Sequence, residues 1–429
     1  MKTVATGGYQ PRVIDAEFDA LISKLPALVF EGAKAVGKTA TAERRAATTW
    51  RLDDADRRAV ALAEPARVLE GARPVLIDEW QNVPNVWDLV RRSVDGGAPP
   101  GSYLLTGSAM PEKGGMHSGA GRIVTLRMRP LSLAERGLAR PTVSLAALLK
   151  GGRSTIAGRC GCDLRGYVEE ILASGFPGLR GLTGRPLRAQ LDSYLDRIVD
   201  REFAELGHPI RSPETLKRWM RAYAAASSTT TSFEKIRDAA TSDQHQPPSR
   251  NTTVPYREIL ERLWILDPVP AWIPSRSHLR RLSAPPKHQL ADPALAGRLL
   301  GVDADALLAG RDVGPVIPRD GTLLGALFES LIVLSVRVYA QAAEATVSHV
   351  RTAGGEHEVD IIVERQDGRV VALEVKLASA IYDHDVRGLL WLRDQIGADL
   401  LDAAIITTGQ EAYRRADGIA VIPAALLGA

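Results

Sequence analysis

The sequence predicts an α/β protein of several domains, and three observations support this fold class. Its 429 residues are too many for one ordinary hydrophobic core. In the first third of the chain, short apolar runs alternate with helical segments, which is typical of a parallel sheet covered on both faces. The periodicity then becomes helical from Leu164 to about Trp272 and rich in strands after Leu323. We therefore expect domains at 1–135, 136–285 and 286–429.

Composition narrows the class of protein. A hydrophobic content of 45% and a charged content of 24% are those of a globular chain. Of the 54 basic residues 10 are lysine, so the other 44 are arginine. Arginine suits nucleotide or nucleic-acid partners, although a GC-rich genome also explains the excess. Cys160 and Cys162 alone cannot complete a zinc site, and we expect a reduced, cytoplasmic protein. Neither a signal peptide nor an uninterrupted apolar run of about 18 residues is evident, so we expect no membrane span.

The first domain is predicted from three apolar runs. Leu25–Phe30 is a buried strand that leads into a glycine-rich loop, and a helix follows from Thr39 to Ala47. Val75–Ile77 and Tyr103–Thr106 are the next two strands, and the domain ends near Pro130. The carboxyl ends of these strands should therefore lie at one edge of a parallel sheet.

The glycine-rich loop satisfies the pattern G-x-x-x-x-G-K-[ST] and predicts an ATP site. Its backbone N–H groups would surround the phosphates at the positive end of the following helix. The lysine would bridge the outer phosphates, and the threonine hydroxyl would bind Mg²⁺. The predicted cofactors are ATP and Mg²⁺, and the predicted nucleotide-binding residues are Gly32, Ala33, Lys34, Ala35, Val36, Gly37, Lys38 and Thr39.

Polar residues at the tips of the neighbouring strands predict hydrolysis and not only binding. Asp78 would hold Mg²⁺ through water, and Glu79 would polarise the attacking water. Ser108, after the third strand, could orient that water. Arg122 is a candidate finger on a neighbouring subunit's nucleotide, which would require a homo-oligomer; a simple salt bridge is the alternative for this side chain.

The middle region is predicted to be helical after a Gly-rich linker at 151–161. Residues 242–250 form an exposed polar loop between helices near Phe233–Ala240 and Thr253–Leu263. Residues 264–266 and 269–272 could be the two strands of a wing, so this part could be a winged helix. Such a module binds DNA or only packs between domains, and both possibilities stay open.

Several motifs follow the loop in order: V-L-I-D-E-W-Q-N-V-P, L-L-T-G-S-A and R-P-L-S-L-A-E. Further motifs are Ser174–Pro177, Tyr194-Leu195 with Arg201-Glu202, Lys287 with Asp292, and Gly325–Glu329. Together they resemble the motifs of bacterial and archaeal AAA-type P-loop ATPases with a C-terminal domain of unknown function. The resemblance implies an ATPase core, a helical or winged-helix middle and a restriction-endonuclease-like C-terminal domain. The polar 242–250 segment and His288 depart from the family pattern.

The last third of the chain contains a candidate nuclease site. A helix at Leu323–Tyr339 precedes strands at 358–364 and 369–376, which a turn at 366–368 joins. A helix near 386–395 and a strand at 403–407 would complete this α/β domain. A three-residue turn places Asp360 opposite Glu374, with Lys376 on the same face; a two-residue turn would separate them. Asp360, Glu374 and Glu329 would then bind metal, and Lys376 would position water; a merely charged hairpin edge is the alternative.

These features support two main hypotheses. The first is an ATP-driven machine that acts on DNA, with the C-terminal domain as a metal-dependent nuclease. The second is a regulatory ATPase switch that controls the binding of DNA or protein, with a C-terminal domain that cuts nothing. A toxin or defence effector is a third possibility, which no feature of the sequence distinguishes.

Overall fold

The computed structural model describes residues 8–107, 119–152, 154–241, 247–272, 285–310, 314–317, 321–352 and 355–429. Its strands form a five-stranded, a seven-stranded and a two-stranded sheet. The first sheet belongs to the N-terminal part of the chain, and the second is built mainly from the last 84 residues, 346–429.

The five-stranded sheet is parallel throughout, which confirms the prediction for the first domain. Its strands are fully buried where they carry the apolar runs. In spatial order it runs β2-β3-β4-β1-β5, so β4 lies between the strand before the loop and the strand ending in Asp78. The strands are β1 (Ala27–Glu31), β2 (Thr48–Arg51), β3 (Val75–Asp78), β4 (Tyr103–Gly107) and β5 (Val124–Arg127).

Helices cover both faces of this sheet, because alternate side chains of each strand point to opposite faces. Phe18 packs edge-on against Phe30 on one face, and Trp80 packs against Trp87 on the other. The α-helices of this part are Ile14–Ile22, Lys38–Glu43, Ala55–Ala63, Asn85–Asp95 and Leu133–Arg136, with 3-10 turns at Pro65–Leu69 and Trp80–Asn82.

The middle region is helical, as predicted. A π-helical turn at Ile198–Glu202 interrupts the path from one helix to the next, and a 3-10 turn lies at Pro177–Leu179. The α-helices are Leu145–Lys150, Leu164–Leu172, Gly184–Arg197, Phe203–Glu205, Pro213–Ala225, Phe233–Ala239, Arg250–Arg262, Pro293–Leu300 and Ala304–Leu308. Of the predicted exposed loop at 242–250, residues 242–246 lie outside the described part of the chain.

The predicted wing hairpin is wrong. Residues 264–266 and 269–272 do not pair with each other; Leu266 pairs with Leu290, and Val269 pairs with Lys287. Pro268 and Pro270 lack the N–H groups that a hairpin ladder between these two segments would need. The chain instead uses the segment 285–292 as the partner strand.

The strands of the two remaining sheets are β6 (Val143–Ser144), β7 (Gly158–Arg159), β8 (Thr346–Arg351), β9 (Glu358–Glu364), β10 (Val370–Lys376), β11 (Leu400–Thr407), β12 (Glu411–Arg414), β13 (Ala420–Pro423) and β14 (Leu427–Gly428). The seven-stranded sheet runs β7-β12-β13-β11-β10-β9-β8. The predicted linker at 151–161 is only partly a linker, since Gly158–Arg159 is an edge strand of this sheet and pairs with Glu411–Arg414. The helix Arg387–Ile396 packs on this sheet, with 3-10 turns at Gly397–Asp399 and Ala424–Leu426.

The helix Leu323–Ala342 forms part of the core between the two large sheets. Among the described residues it is the one helix long and apolar enough to cross a membrane, yet 72% of its apolar window is buried in the protein. Ser335 and Tyr339 accept hydrogen bonds from the backbone N–H groups of Leu133 and Ala134, at 3.1 and 3.0 Å. The helix thereby joins the segment after the five-stranded sheet to the C-terminal sheet.

Candidate functional site

The glycine-rich loop leaves β1 at Glu31 and enters a helix at Lys38. Gly32, Ala35 and Gly37 have φ angles of 153°, 67° and 102°, which turn the backbone tightly. A Cβ atom on Gly32 would lie 2.1 Å from the carbonyl oxygen of Met128, so only glycine fits there. The conformation is therefore that of a phosphate-binding loop at the start of a helix.

Lys38 lies over this loop. Its Nζ donates to the carbonyl oxygens of Gly32 and Ala33, at 2.8 and 2.9 Å. Burial lowers the pKa of Lys38 to about 8, because the charged form has lost water and the nearby charges of Glu79 and Asp78 offset this only in part. A phosphate group would offer this ammonium a stronger partner than the two carbonyls do.

Thr39 and Asp78 meet at the tips of the helix and of β3. The Thr39 hydroxyl donates to Asp78 Oδ1 over 2.7 Å, and the Thr106 hydroxyl from β4 donates to the same oxygen. The hydroxyl and the carboxylate are the oxygen ligands that Mg²⁺ prefers, so these residues fit a nucleotide-bound Mg²⁺. Ser108, which was predicted to orient the attacking water, lies outside the described residues.

Glu79 follows Asp78 with a left-handed backbone, at φ 52° and ψ 48°. For a residue with a side chain this conformation is uncommon and is frequent at functional sites. Burial raises the pKa of Glu79, as expected for a carboxylate that accepts a proton from water. The Gln81 amide donates to Glu79 Oε2 and orients the carboxylate.

Arg122 forms a salt bridge. Its Nε donates to Asp95 over 2.6 Å, and its Nη1 donates to the carbonyl oxygen of Ala120 over 3.1 Å. Both charged side chains are about two-fifths exposed. In the described part of the chain Arg122 is thus placed beside the helix Asn85–Asp95, as the salt-bridge alternative predicts.

A second wall of the nucleotide cleft comes from the middle region and was not predicted in this role. Lys34 donates to Glu202, and the Tyr194 hydroxyl donates to the carbonyl oxygen of Lys34 over 3.2 Å. Arg201 and Glu79 line a shared cleft of about 920 Å³. The motif Arg201-Glu202 was noted only as part of the resemblance, and the π-helical turn that aims it had no signal in the periodicity.

An acidic residue joins β5 to the rest of the molecule. Asp267 forms ion pairs with Arg127, Arg129 and Arg337, with N···O distances of 3.4, 2.8 and 2.7 Å. Burial opposes its charge, but the three guanidinium groups lower the pKa of Asp267 far below its usual range. The residue thus connects the ATPase sheet, the segment 264–272 and the helix Leu323–Ala342.

The hairpin β9–β10 has the register that the three-residue turn predicts. Val370 pairs with Glu364 and Leu373 with Ile361, and Gly368 is left-handed at φ 81°. Continued by one pair, this register places Asp360 opposite Glu374. Asp360 Oδ2 also accepts a hydrogen bond from the Val375 N–H over 2.9 Å. The register is thus the predicted one, whereas the role of these carboxylates as metal ligands stays a prediction.

The centre of this group is filled by a lysine that was not predicted to be there. Lys287 Nζ lies 2.8 Å from each of three carboxylate oxygens, those of Glu329, Glu358 and Asp360. These four residues are hereafter called the lysine cluster. Burial opposes the charge, but the three carboxylates raise the pKa of Lys287 well above its ordinary value. Its only sequence signal was the matched pair of Lys287 and Asp292.

Backbone pairing on both sides directs Lys287 into the cluster. Lys287 and Val269 exchange two backbone hydrogen bonds, each of 2.9 Å. The neighbouring His288 donates its N–H to Thr229 and accepts from the N–H of Ser228, at 2.9 and 2.8 Å. With its backbone held from two directions, the side chain of Lys287 is aimed at the C-terminal sheet.

Glu374 and Lys376 form a separate pair at the edge of the cluster. Lys376 Nζ donates to Glu374 Oε1 over 2.9 Å. Burial and the charge of Asp360 raise the pKa of Glu374 to about 8, and its Oε2 atom has no hydrogen-bond partner among the described residues. A divalent metal does not fit this arrangement, because ammonium groups already occupy the positions that face the carboxylates. Within the described ranges no group of three or more metal-binding side chains could hold an ion.

An open cleft of about 980 Å³ lies above the lysine cluster. One wall is the hydroxyl-rich segment Ser228–Ser232 with Lys235, and the other carries Arg351 and Lys376. The cleft therefore combines an acidic, lysine-neutralised floor with hydroxyl and cationic groups around it.

Three family models match successive parts of the chain. Residues 24–136 match the family described as an AAA domain, whereas 164–306 and 324–427 match domains of unknown function, DUF8612 and DUF4143. The uncharacterised proteins Mb2031c of Mycobacterium bovis and Rv2008c of Mycobacterium tuberculosis are each 25% identical to this chain over 371 residues, covering 85% of it and 72% of their own length. The Walker-type ATPase PABY2304 of Pyrococcus abyssi is 15% identical, with a TM-score of 0.36, over 66% of this chain and 94% of its own.

The first of these matches bears directly on the loop. The AAA domain match spans the phosphate loop, Asp78 and Glu79, and the sheet around them is parallel. The chain therefore contains a P-loop ATPase domain. The C-terminal match is to a family without an assigned function, so the restriction-endonuclease-like fold stays a prediction.

Proposed function

We propose that the chain hydrolyses ATP with Mg²⁺ and uses the nucleotide cycle to control the binding of nucleic acid by its middle and C-terminal parts. The observation that carries the first half is the contact of Thr39 with Asp78, 2.7 Å apart, directly beside Lys38 and Glu79. These four residue types are the ones that phosphoryl transfer requires for metal binding, charge neutralisation and activation of water.

Each residue has a distinct role in this proposal. Lys38 leaves the carbonyls of Gly32 and Ala33 and binds the outer phosphates. Thr39 and Asp78 hold Mg²⁺, which neutralises charge on the phosphates when it is bound. Glu79 orients and deprotonates the attacking water. Arg201 lines the same cleft and is placed to contact the nucleotide from the middle region.

Two contacts support control of the rest of the molecule by nucleotide. Lys34, within the loop, pairs with Glu202 of the middle region. Arg127, at the end of β5, pairs with Asp267, two residues from the Val269 backbone that holds Lys287. A change at the loop therefore reaches the cleft above the lysine cluster through a few packed groups.

Nucleic acid in that cleft is supported by its cationic and hydroxyl-bearing walls, since such groups bind phosphate oxygens without reading sequence. A nuclease was the other predicted role of this region. The ammonium of Lys287 within the carboxylates favours the second hypothesis, a regulatory ATPase whose C-terminal domain does not cut.

The ATPase proposal is tested with Lys38→Ala. Because the ammonium is needed at the phosphates, we expect phosphate release to fall to background, while Lys235→Ala, an exposed lysine elsewhere, keeps the wild-type rate. Unchanged turnover in Lys38→Ala would refute the assignment of the site.

The same assay with DNA and Mn²⁺ separates the two hypotheses. Phosphate release and DNA cleavage are scored separately for wild type and Asp360→Ala, at a temperature where circular dichroism shows both chains folded. We expect that both proteins bind DNA and release phosphate from ATP, and that neither cleaves the DNA. Cleavage that Asp360→Ala abolishes would establish the nuclease instead.

Arg122 has its own test in this assay. Its ion pair with Asp95 is exposed, and exposed pairs contribute little because water and salt screen the two charges. Arg122→Ala should therefore leave phosphate release close to wild type. Two results together would identify a finger acting between subunits. These are a large loss of turnover in Arg122→Ala and a wild-type turnover per chain that falls on dilution.

A further inference from the structure

We propose that Lys287 is a built-in cation that takes the place of a divalent metal ion in the carboxylate group of the C-terminal domain. The lysine is supplied by the segment 285–292, and the carboxylates come from the helix Leu323–Ala342 and strand β9. The carboxylates thus bind an ammonium group from the same chain where a metal-dependent site would bind a metal ion.

The number of carboxylates matches the number of donors. A lysine ammonium has three N–H donors and no acceptor. Lys287 Nζ donates hydrogen bonds of 2.8 Å to Glu329 and Asp360, and Glu358 Oε1 lies in ion-pair contact at the same distance. The side chain of Lys287 is only 1% exposed, so these carboxylates take the place of water around the nitrogen.

A metal ion cannot easily displace the ammonium of Lys287. The Lys287 backbone is paired with Val269, and its neighbour His288 is paired with Ser228 and Thr229. Withdrawal of the ammonium would leave three carboxylates facing one another in a nearly buried place, which is unfavourable without a cation. A metal ion can enter only when the lysine is absent.

One further atom points to a cation at this place. Glu374 Oε2 is buried and has no hydrogen-bond partner among the described residues. Glu374 lines the same cleft as Glu329, Glu358 and Asp360. Without Lys287 these side chains would form a group of four carboxylates, a donor set that suits Mn²⁺, Mg²⁺ or Ca²⁺.

The test is Mn²⁺ binding by the full chain in the absence of nucleotide, measured by titration calorimetry after treatment with EDTA. Wild type and Lys235→Ala, a lysine on the rim of the same cleft, should bind no stoichiometric Mn²⁺. Lys287→Ala should bind one Mn²⁺ per chain, at least about tenfold tighter than wild type, since it frees the carboxylates for the ion. Lys287→Ala/Asp360→Asn should lose this gain.

Two results would overturn the proposal. One is stoichiometric Mn²⁺ binding by wild type that Glu329→Gln removes; the other is a folded Lys287→Ala chain that binds no Mn²⁺. If Lys287→Ala is unfolded in EDTA, refolding on addition of Mn²⁺ supports the proposal, and failure to refold contradicts it. Because no nucleotide is present, the outcome does not depend on whether the ATP site is active.

Discussion

Two lysines in this protein are buried against oxygen atoms, and they are held in opposite ways. Lys38 contacts two neutral carbonyl oxygens of its own loop, whereas Lys287 contacts three carboxylates from two other elements. Burial lowers the pKa of Lys38 to about 8, while the carboxylates raise the pKa of Lys287. A lysine that donates to neutral carbonyls can be transferred to a phosphate, whereas a lysine held by three carboxyl groups stays in place.

From this difference we expect the phosphate loop to act in catalysis and the lysine cluster to stabilise the fold. At the phosphate loop Thr39 contacts Asp78, and the next residue, Glu79, lines an open cleft together with Lys34 and Arg201. In the lysine cluster the equivalent space holds an ammonium from the same chain. Carboxylates alone therefore do not define a catalytic site, because the group that faces them determines whether a metal ion or a nucleotide can bind.

The largest expected effect tests the catalytic half of this comparison. Replacing Glu79 by Gln removes the group that accepts the proton, so kcat for ATP hydrolysis should fall roughly 10²–10⁴-fold. Binding of ATP should remain, because Gln keeps the shape. Steady-state phosphate release and nucleotide titration measure the two quantities.

Two matched replacements control this experiment. Glu70→Gln changes an exposed carboxylate of the same domain, and Glu374→Gln changes one beside the lysine cluster. Both should hydrolyse ATP at nearly the wild-type rate. A loss in Glu374→Gln as large as that in Glu79→Gln would show that the comparison separates the wrong functions.

The next effect concerns cohesion. Asp360 keeps its charge because Lys287 holds its pKa below the ordinary value, although burial opposes this. Asp360→Asn should therefore lower the free energy of unfolding by about 3–5 kcal/mol, the usual cost of breaking a buried ion pair. Urea unfolding followed by circular dichroism measures it.

Glu329 should behave differently although it also contacts Lys287. Burial and the charge of Asp360 raise the pKa of Glu329, so its charge contributes less. Glu329→Gln should cost about 1 kcal/mol, close to an ordinary hydrogen bond. Asp367→Asn, which changes an exposed carboxylate on the β9–β10 turn, should leave the free energy of unfolding close to that of the wild type. Equal costs for Asp360→Asn and Asp367→Asn would mean that the lysine cluster adds no cohesion.

Much of both sites could be predicted from the sequence, because the decisive residues follow strand and turn patterns. The loop glycines, Asp78 and Glu79 lie directly after apolar runs, and the end of a parallel strand places them at one sheet edge. The register of Asp360 with Glu374 followed from the left-handed Gly368. In each case a few neighbouring residues determine the geometry.

The rest depends on contacts between distant segments, for which periodicity carries no information. Lys287 meets Asp360 only because the segment 285–292 pairs with Val269, in place of the predicted wing. Arg201 reaches the cleft through a π-helical turn that apolar spacing does not indicate. Asp267 is recognisable as a joint only when three arginines from separate elements surround it.

The smallest effect sharpens the comparison between the lysines by pH. Free Lys38, with a pKa of about 8, is largely neutral at pH 9, but bound phosphates would raise its pKa. Nucleotide binding then takes up a proton above pH 8, and affinity should fall by up to about tenfold per pH unit there. Lys287 has a raised pKa, so its contribution to stability is complete below its unfolded pKa and is not lost between pH 7 and 9.

Isothermal titration of ATP between pH 7 and 9, in two buffers with different ionisation enthalpies, counts the protons directly. We expect an uptake of nearly one proton per ATP bound at pH 9 and little uptake at pH 7. The contribution of Lys287 to the free energy of unfolding, measured separately with urea, should stay constant over this range. An affinity that does not change with pH would mean that Lys38 is already fully charged in the free loop. The two lysines would then differ in their partners but not in how readily they give up a proton, and the transfer of Lys38 to phosphate would need another driving force.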